Sequence, residues 1–243
     1  MLYQWRTVLD YLPDLLRAMV LTLWMTLLAF ALALVLGLIA ALARNSRITL
    51  VRLVAGAYVE LVRNTPVLLQ IFIVFFALPS FGLRFDAVTA GIVAIGVNVG
   101  GYLCEVFRAG ISSVSRAQGE AAQVLGLSAH QTFVSVIAPQ ALRNVYPATV
   151  NNLIQVLLGT SLLTAIAVPE LTGVATVINA RTLLFVQVFA IALVLYLVLS
   201  NALSLLAGLL GRALFKPPLR GSRPGFWPVR RLPSATTSAE VGL

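Results

Sequence analysis

The chain has 243 residues, of which 60% are hydrophobic and only 10% are charged. Soluble globular domains carry about 25% charged residues, so this composition excludes an ordinary soluble protein. The formal net charge is +9, and whether it indicates a nucleic-acid partner depends on where the basic residues lie. Because the sequence contains a single cysteine, Cys104, and a single histidine, His130, it predicts no disulfide framework, no metal site and no cofactor.

Five apolar segments follow along the chain, each long enough to cross a membrane. A helix crosses the hydrocarbon core of roughly 30 Å with about 20 residues. A sixth uncharged stretch, 121–142, is rich in Gln, Ser and Thr, so we predict a loop with two short helices there. In the third span Gly96 and Gly100 form a G-x-x-x-G pattern, which favours close approach of another helix. The predicted spans are residues 18–43, 60–80, 86–106, 145–167 and 182–210.

The basic residues predict the orientation of these spans. Short loops rich in Lys and Arg stay in the cytoplasm, and an odd number of spans places the termini on opposite sides. With the C-terminus inside, most of the 17 basic residues are cytoplasmic, and those outside are Arg6, Arg17, Arg84 and Arg181. The charge therefore indicates an outside N-terminus and a cytoplasmic C-terminus, and no nucleic-acid partner.

Composition changes near residue 215. Residues 1–215 are predicted to form the transmembrane domain, whereas residues 216–243 are rich in Pro, Gly, Ser and Arg. Such a segment buries too little apolar surface to order itself, which predicts a disordered cytoplasmic tail. Its basic half either binds anionic membrane lipid or has no role of its own.

The loop at 115–139 carries two helix-start signals. Ser115 with Gln118, and Ser128 with Gln131, each have the spacing of a capping box, so a short helix is predicted to begin at each serine. Between them Gly126 suits a left-handed helix end. Pro139 is expected to end the second helix, since its ring cannot continue one.

The run Glu120-Ala121-Ala122, followed by Gly126 and then by Pro139, resembles the EAA loop of ABC importer permeases. The resemblance implies that its first helix docks on a cytoplasmic ATPase subunit and transmits the closing of that subunit to the membrane helices. Ala138 stands where the family usually has Leu, which keeps the position apolar. The alternative for Glu120 is a carboxylate that merely favours a helix N-terminus. The matching positions are Glu120, Ala121, Ala122, Gly126 and Pro139.

Other segments are similar to the polar amino acid permeases within this family, and the likeness covers roughly residues 10–212. Asn152 stands where these permeases usually have Glu, and Leu158 where they often have Lys, so the substrate stays open. The similar segments are 15–16 with 22–23, 58–66, 101–111, 139–143, 160–162 and 168–171.

The resemblance implies an all-α, polytopic type I ABC importer permease of about five transmembrane helices in the bacterial inner membrane. The implied function is the permease subunit of an ATP-driven importer for polar amino acids. The implied partners are an ATP-binding cassette ATPase, a second permease subunit, identical or not, and an extracytoplasmic solute-binding protein. The chain itself is not expected to be an enzyme, because its lysine, Lys216, precedes Pro217 and forms no phosphate-binding G-x-x-x-x-G-K-[ST] loop.

A pathway for zwitterions needs polar groups near mid-membrane. The alternative for each candidate is a hydrogen bond between neighbouring helices. Glu105 with Arg108, and Glu60 with Arg63, are predicted to pair at the inner interface, which makes Glu105 the weaker candidate. The candidates are Asn98, Tyr102, Glu105, Asn151, Asn152, Gln155, Thr160 and Ser161.

Two other classes of protein compete with this interpretation. An ion- or proton-coupled secondary transporter would usually show an inverted repeat and acidic residues within its spans. A membrane enzyme would need a nucleophile with its base, or a metal cluster. Of the two, the secondary transporter is the better alternative, because one histidine and one cysteine leave little for catalysis.

Overall fold

The structure is a computed structural model that describes residues 2–215, and this part of the chain is helical without a strand. Residues 216–243, where a tail is predicted, lie outside the described residues. The helices are α1 Leu2–Leu9, α2 Leu12–Arg44, α3 Thr49–Arg63, α4 Val67–Phe81, α5 Ala87–Ser112, α6 Arg116–Val124, α7 Ala129–Thr132, α8 Ala138–Gly159, α9 Leu171–Thr182 and α10 Phe185–Leu214. Helix α4 includes a π-helical stretch, Ile73–Ala77, and a 3-10 end, Leu78–Phe81.

Four helical segments are long and apolar enough to cross a membrane, and one bent pair makes a fifth. The four are Leu12–Arg44, Ala87–Ser112, Ala129–Ile166 and Phe185–Leu214. The fold is therefore all-α and polytopic, with about five spans, as the sequence predicts. Each of the four extends past its predicted span at one end or both.

The predicted second span, 60–80, falls on a bent pair of helices, α3 and α4. The chain bends by 108° between α3 and α4. Pro66 lacks an N–H group and disfavours helical geometry at Thr65 before it, so α3 ends at Arg63 and a new helix begins at Val67.

The centre of the molecule is the contact between α2 and α5, where small residues face each other. A Cβ atom added to Gly96 would lie 2.8 Å from a Leu32 methyl carbon, and one added to Gly37 would lie 2.7 Å from Leu103 Cβ. Gly100 is as closely enclosed, by the Tyr58 hydroxyl at 2.8 Å. The G-x-x-x-G prediction of a close helix approach is therefore correct.

Helix α9 is an element that the sequence does not predict, between the fourth and fifth spans. Its buried residues Leu171, Ala175 and Ile178 pack in one cluster with Leu15 and Val188. This short helix is thus enclosed between α2 and α10, which both contact it.

Candidate functional site

The 115–139 loop begins with α6, whose start differs from the prediction. Ser115 occupies the N-cap position, but its side chain accepts no hydrogen bond from the helix, so the predicted capping box with Gln118 does not form. The Gln118 N–H group instead donates to the Ser115 carbonyl oxygen at 3.0 Å.

Gly126 ends α6 as predicted. Its φ is +80°, a left-handed conformation that favours glycine. The Gly126 N–H group donates to Gln123 O at 2.9 Å, and the Leu127 N–H group donates to Ala122 O at 3.1 Å. These two bonds form a Schellman motif, which satisfies carbonyl groups at the helix end and turns the chain sharply.

The second helix of the loop starts as predicted but does not end at Pro139. Ser128 and Gln131 form the complete capping box. The helix then continues through a π-helical stretch, Phe133–Ile137, into α8. The Ala138 N–H group donates to the Phe133 carbonyl oxygen, five residues back, and this wider turn relieves the clash of the proline ring with the preceding turn.

The loop exposes most of its predicted coupling residues. Glu120, Ala121, Gly126 and Pro139 are exposed, whereas Ala122 is buried where α6 contacts the π-helical stretch. Two further apolar side chains, which sequence reasoning missed, are almost fully exposed: Val124 is 88% and Leu125 is 81% accessible.

A second feature is a polar network at the bend between α3 and α4. The Val62 carbonyl oxygen has no helical donor, because the residue four positions on is Pro66. It accepts instead from Asn98 Nδ2 at 3.0 Å and Gln70 Nε2 at 2.9 Å. Asn98 Nδ2 also donates to Gln70 Oε1 at 3.2 Å. Asn98 is therefore a bend-stabilising residue, as the interhelical alternative proposed, and it also faces the cavity beside the bend.

That cavity, which we call the bend cavity, has a volume of about 690 Å³ and lies between α3, α4, α5 and α8. Four of the predicted pathway residues line it. They share its wall with Arg63, Asn64 and Thr65 and with the apolar side chains of Ile95, Val99, Leu158 and Leu162. The four predicted residues are Asn98, Tyr102, Asn152 and Gln155.

The other four candidates do not line the bend cavity. Thr160 is buried and its hydroxyl donates to Leu157 O, while the Ser161 hydroxyl donates to Leu158 O and lines a separate cavity beside α10. Asn151 lines neither cavity.

Glu105 is engaged in ion pairs. Its Oε1 atom lies 3.2 Å from Arg108 Nη1, as predicted, and 3.2 Å from Arg44 Nη1 on α2. The contact with Arg44 was missed because the two residues are 61 positions apart in the chain.

The predicted ion pair between Glu60 and Arg63 is wrong. Glu60 Oε2 accepts a hydrogen bond from Asn64 Nδ2 at 3.0 Å. Arg63 turns the other way, with its guanidinium carbon 5.5 Å from the centre of the Tyr102 ring. Each side chain of this predicted pair thus has another partner.

Sequence reasoning also missed the surroundings of Glu170, whose side chain is fully buried. Its carboxylate accepts from the Thr172 and Gly173 N–H groups at 3.0 and 2.7 Å, and thereby caps α9. Two hydroxyl groups, of Thr164 and Tyr196, donate to it at 2.8 and 2.7 Å. The sequence signal that could have found this site is an acidic residue, Glu170, directly before an apolar run, because a carboxylate is favoured at a helix N-terminus.

This chain is similar in sequence to membrane components of transport systems. Residues 33–216 match the model of the binding-protein-dependent transport system inner membrane component. The chain is 38% identical over 194 residues to the L-cystine transport system permease protein TcyB of Bacillus subtilis, covering 79% of this chain and 83% of that protein. It is 35% identical to the glutamine transport system permease protein GlnP of Escherichia coli, covering 84% and 94%.

Solved structures show the same fold. A chain of an amino acid ABC transporter crystallised with histidines superposes with a TM-score of 0.79 at 34% identity, covering 84% of this chain and 96% of that one. The inward-facing MetNI methionine ABC transporter superposes with a TM-score of 0.71 at 19% identity, covering 85% and 98%.

Proposed function

This chain belongs to the family of binding-protein-dependent transport system inner membrane components, and on that premise we propose that it forms the membrane pathway of an ATP-driven importer for polar amino acids. Relatives named for L-cystine and glutamine transport support this substrate class. The observation that carries the proposal is that one chain combines a polar cavity among its membrane helices with an exposed two-helix loop.

The loop is the proposed contact with a separate ATPase subunit, which hydrolyses ATP for the transporter. Val124 ends α6, Leu125 follows it, and both are exposed. Neighbouring exposed apolar side chains suit a protein interface. Glu120, Ala121, Gly126 and Pro139 lie exposed in the same loop, and Ala122 holds α6 against the π-helical stretch.

The proposed assembly contains two permease subunits, identical or not, two ATPase subunits and an extracytoplasmic solute-binding protein. The distribution of arginines supports an outside N-terminus and a cytoplasmic C-terminus in the bacterial inner membrane. With this orientation the 115–139 loop faces the cytoplasm, where ATP is available.

The proposed substrate contacts are the four predicted residues of the bend cavity: Asn98, Tyr102, Asn152 and Gln155. Amide and hydroxyl groups can bind both charged ends of an amino acid without adding an unmatched charge to the membrane. The other four candidates lie outside this cavity, so we do not propose them as contacts.

The test is purification of the tagged full-length chain from its own membranes in mild detergent, with identification of co-purifying proteins by mass and an ATPase assay. We expect an ATPase subunit to co-purify. Gly126→Val places a β-carbon in left-handed geometry, which costs roughly 1–2 kcal/mol, so ATPase recovery per permease should fall about five- to thirtyfold.

Gly208→Val is the matched control. A β-carbon at Gly208 meets no atom within 4 Å and φ there is not left-handed, so this variant should retain the ATPase. Recovery of the chain alone, still driving uptake without ATP, would overturn the proposal in favour of a secondary transporter.

A further inference from the structure

A set of charged and polar side chains lines the bend cavity. Among the described residues that line it, Arg63 carries the ionised side chain, and the other polar groups are amides and hydroxyls. We propose that the bend cavity selects amino acids with an uncharged side chain and that Arg63 binds their α-carboxylate. This inference rests on the proposed function, because it assumes that the cavity holds the transported solute.

Arg63 is available for a ligand. Its side chain is exposed and lies over the Tyr102 ring, and no ion pair engages it among the residues whose side chains are described, 4–215. The nearest acid along the helix, Glu60, accepts from Asn64 instead. A guanidinium group offers two parallel N–H donors to a carboxylate, which gives strong and oriented binding.

The amides leave oxygen atoms for the ammonium group of the ligand. Both N–H groups of the Asn98 amide are used, on Val62 O and Gln70 Oε1, so its Oδ1 atom is the one left for a ligand. Asn152 Nδ2 donates to Ala148 O at 2.9 Å, and the Oδ1 atom of this amide is an acceptor for a ligand. An ammonium group has three donors and needs acceptors of this kind.

The rest of the wall suits a neutral side chain. Leu158 and Leu162 lie beside the Asn152 and Gln155 amides, a surface that matches apolar and amide groups. A second charge on the ligand would lose water there without an ionic partner, which is costly. The acid best placed to attract a cation, Glu105, is already paired with two arginines.

Ligand binding to the full-length chain in lipid nanodiscs tests the proposal, with tritiated L-glutamine as the probe. Unlabelled glutamine should compete at least about tenfold better than arginine, lysine or glutamate, because each of these adds an unmatched charge. Equal competition by arginine would overturn the inference.

Two variants with matched controls sharpen this test. Asn152→Glu supplies a carboxylate to the wall and should improve competition by arginine at least about tenfold. Asn151→Glu, one residue away and outside the cavity, should leave the order of competitors unchanged. The expected result is a gain of arginine binding in Asn152→Glu. Loss of folding cannot produce such a gain.

Arg63→Gln tests the carboxylate contact. The native chain should prefer glutamine over glutamine α-amide, which lacks the carboxylate, and Arg63→Gln should abolish that preference while Arg63→Lys keeps part of it. Arg52→Gln is the control, because Arg52 contacts Ser46 and Thr49 away from the cavity. A preference that survives Arg63→Gln would refute the role of Arg63.

The outcomes separate this inference from the proposed function. Co-purification of an ATPase together with strong arginine binding would sustain the importer and overturn the neutral-substrate inference alone. Failure of every amino acid to compete would overturn both the assignment of the cavity and the inference built on it.

Discussion

Single residues carry the polar groups that a lipid-embedded chain must satisfy internally. The Val62 carbonyl oxygen loses its helical donor to Pro66 and recovers two side-chain donors from Asn98 and Gln70. Glu170 meets the opposite need. Its fully buried carboxylate accepts from four donors, two of which are backbone N–H groups at the start of α9. In both places, polar side chains satisfy backbone groups that have no partner within a helix.

Glu170 should therefore contribute measurably to stability. Glu170→Gln replaces one carboxylate oxygen with an amide NH₂, so a buried N–H or O–H donor at α9 loses its acceptor, at a cost of about 1–3 kcal/mol. We expect a lower midpoint of thermal unfolding in detergent. Tyr196→Phe, which removes one of the four donors, should lower it less.

The two variants of the Glu170 network also define the contrary result. If the Glu170→Gln variant has the same midpoint of thermal unfolding as the native chain, the carboxylate is not needed to cap α9. The contacts of Thr164 and Tyr196 with it would then be incidental.

At the scale of elements, two proline residues have opposite effects on helices of similar composition. Pro66 separates α3 from α4 by a 108° bend, whereas Pro139 is accommodated by a π-helical stretch, Phe133–Ile137, and the helix continues. The bend opens the bend cavity, and the continuous helix joins the exposed loop to α8, which lines that cavity. The exposed loop and part of the cavity wall therefore belong to one continuous helical run.

Helix packing at the centre depends on glycine. A Cβ atom on Gly37 would meet Leu103 Cβ at 2.7 Å and the Gly100 carbonyl oxygen at 3.1 Å, atoms that cannot move aside without shifting α5. Gly37→Ala should destabilise the chain by about 1–3 kcal/mol, seen as a lower unfolding midpoint.

Gly56→Ala is the control for this packing prediction. No atom lies within 4 Å of a Cβ added at Gly56, so the helix-favouring alanine should be neutral or stabilise by about 0.5–1 kcal/mol. Equal midpoints for the two variants would contradict tight α2–α5 packing.

At the scale of the whole molecule, large apolar side chains are exposed on the surface as well as buried in the core. Of the four long helical segments, α10 is the least buried, with 22% of its most apolar 18 residues inside the molecule. On it, Leu193 is 66% and Leu205 is 65% accessible. Such a surface is stable in lipid or against another membrane subunit and not in water. Both environments agree with a membrane-embedded permease subunit.

Orientation can be tested on the whole chain by cysteine labelling. Cys104 is fully buried, so it should give little background with a membrane-impermeant maleimide. Ser128→Cys should react in inside-out vesicles and Arg84→Cys in right-side-out ones, since both positions are exposed. The reversed pattern would place the 115–139 loop outside and contradict coupling to a cytoplasmic ATPase.

Local features of this protein could be predicted from its sequence. Apolar length and the positions of arginines depend on stretches of about 20 residues and add up along the chain, so the all-α fold and about five spans followed from them. The left-handed Gly126 and the Ser128–Gln131 capping box are equally local, since each depends on residues a few positions apart.

Contacts between distant segments were decided only by the tertiary structure. Asn98 meets Val62 across 36 positions, and Glu170 meets Tyr196 across 26, and no local pattern specifies such partners. The same holds for Arg63, whose guanidinium group lies over the Tyr102 ring, 39 positions along the chain, at the bend cavity. The sequence by itself determined a membrane-embedded bundle with a helical loop, because burial in lipid is a property of each segment; the tertiary structure decided which polar groups face one cavity, because that depends on how the segments pack.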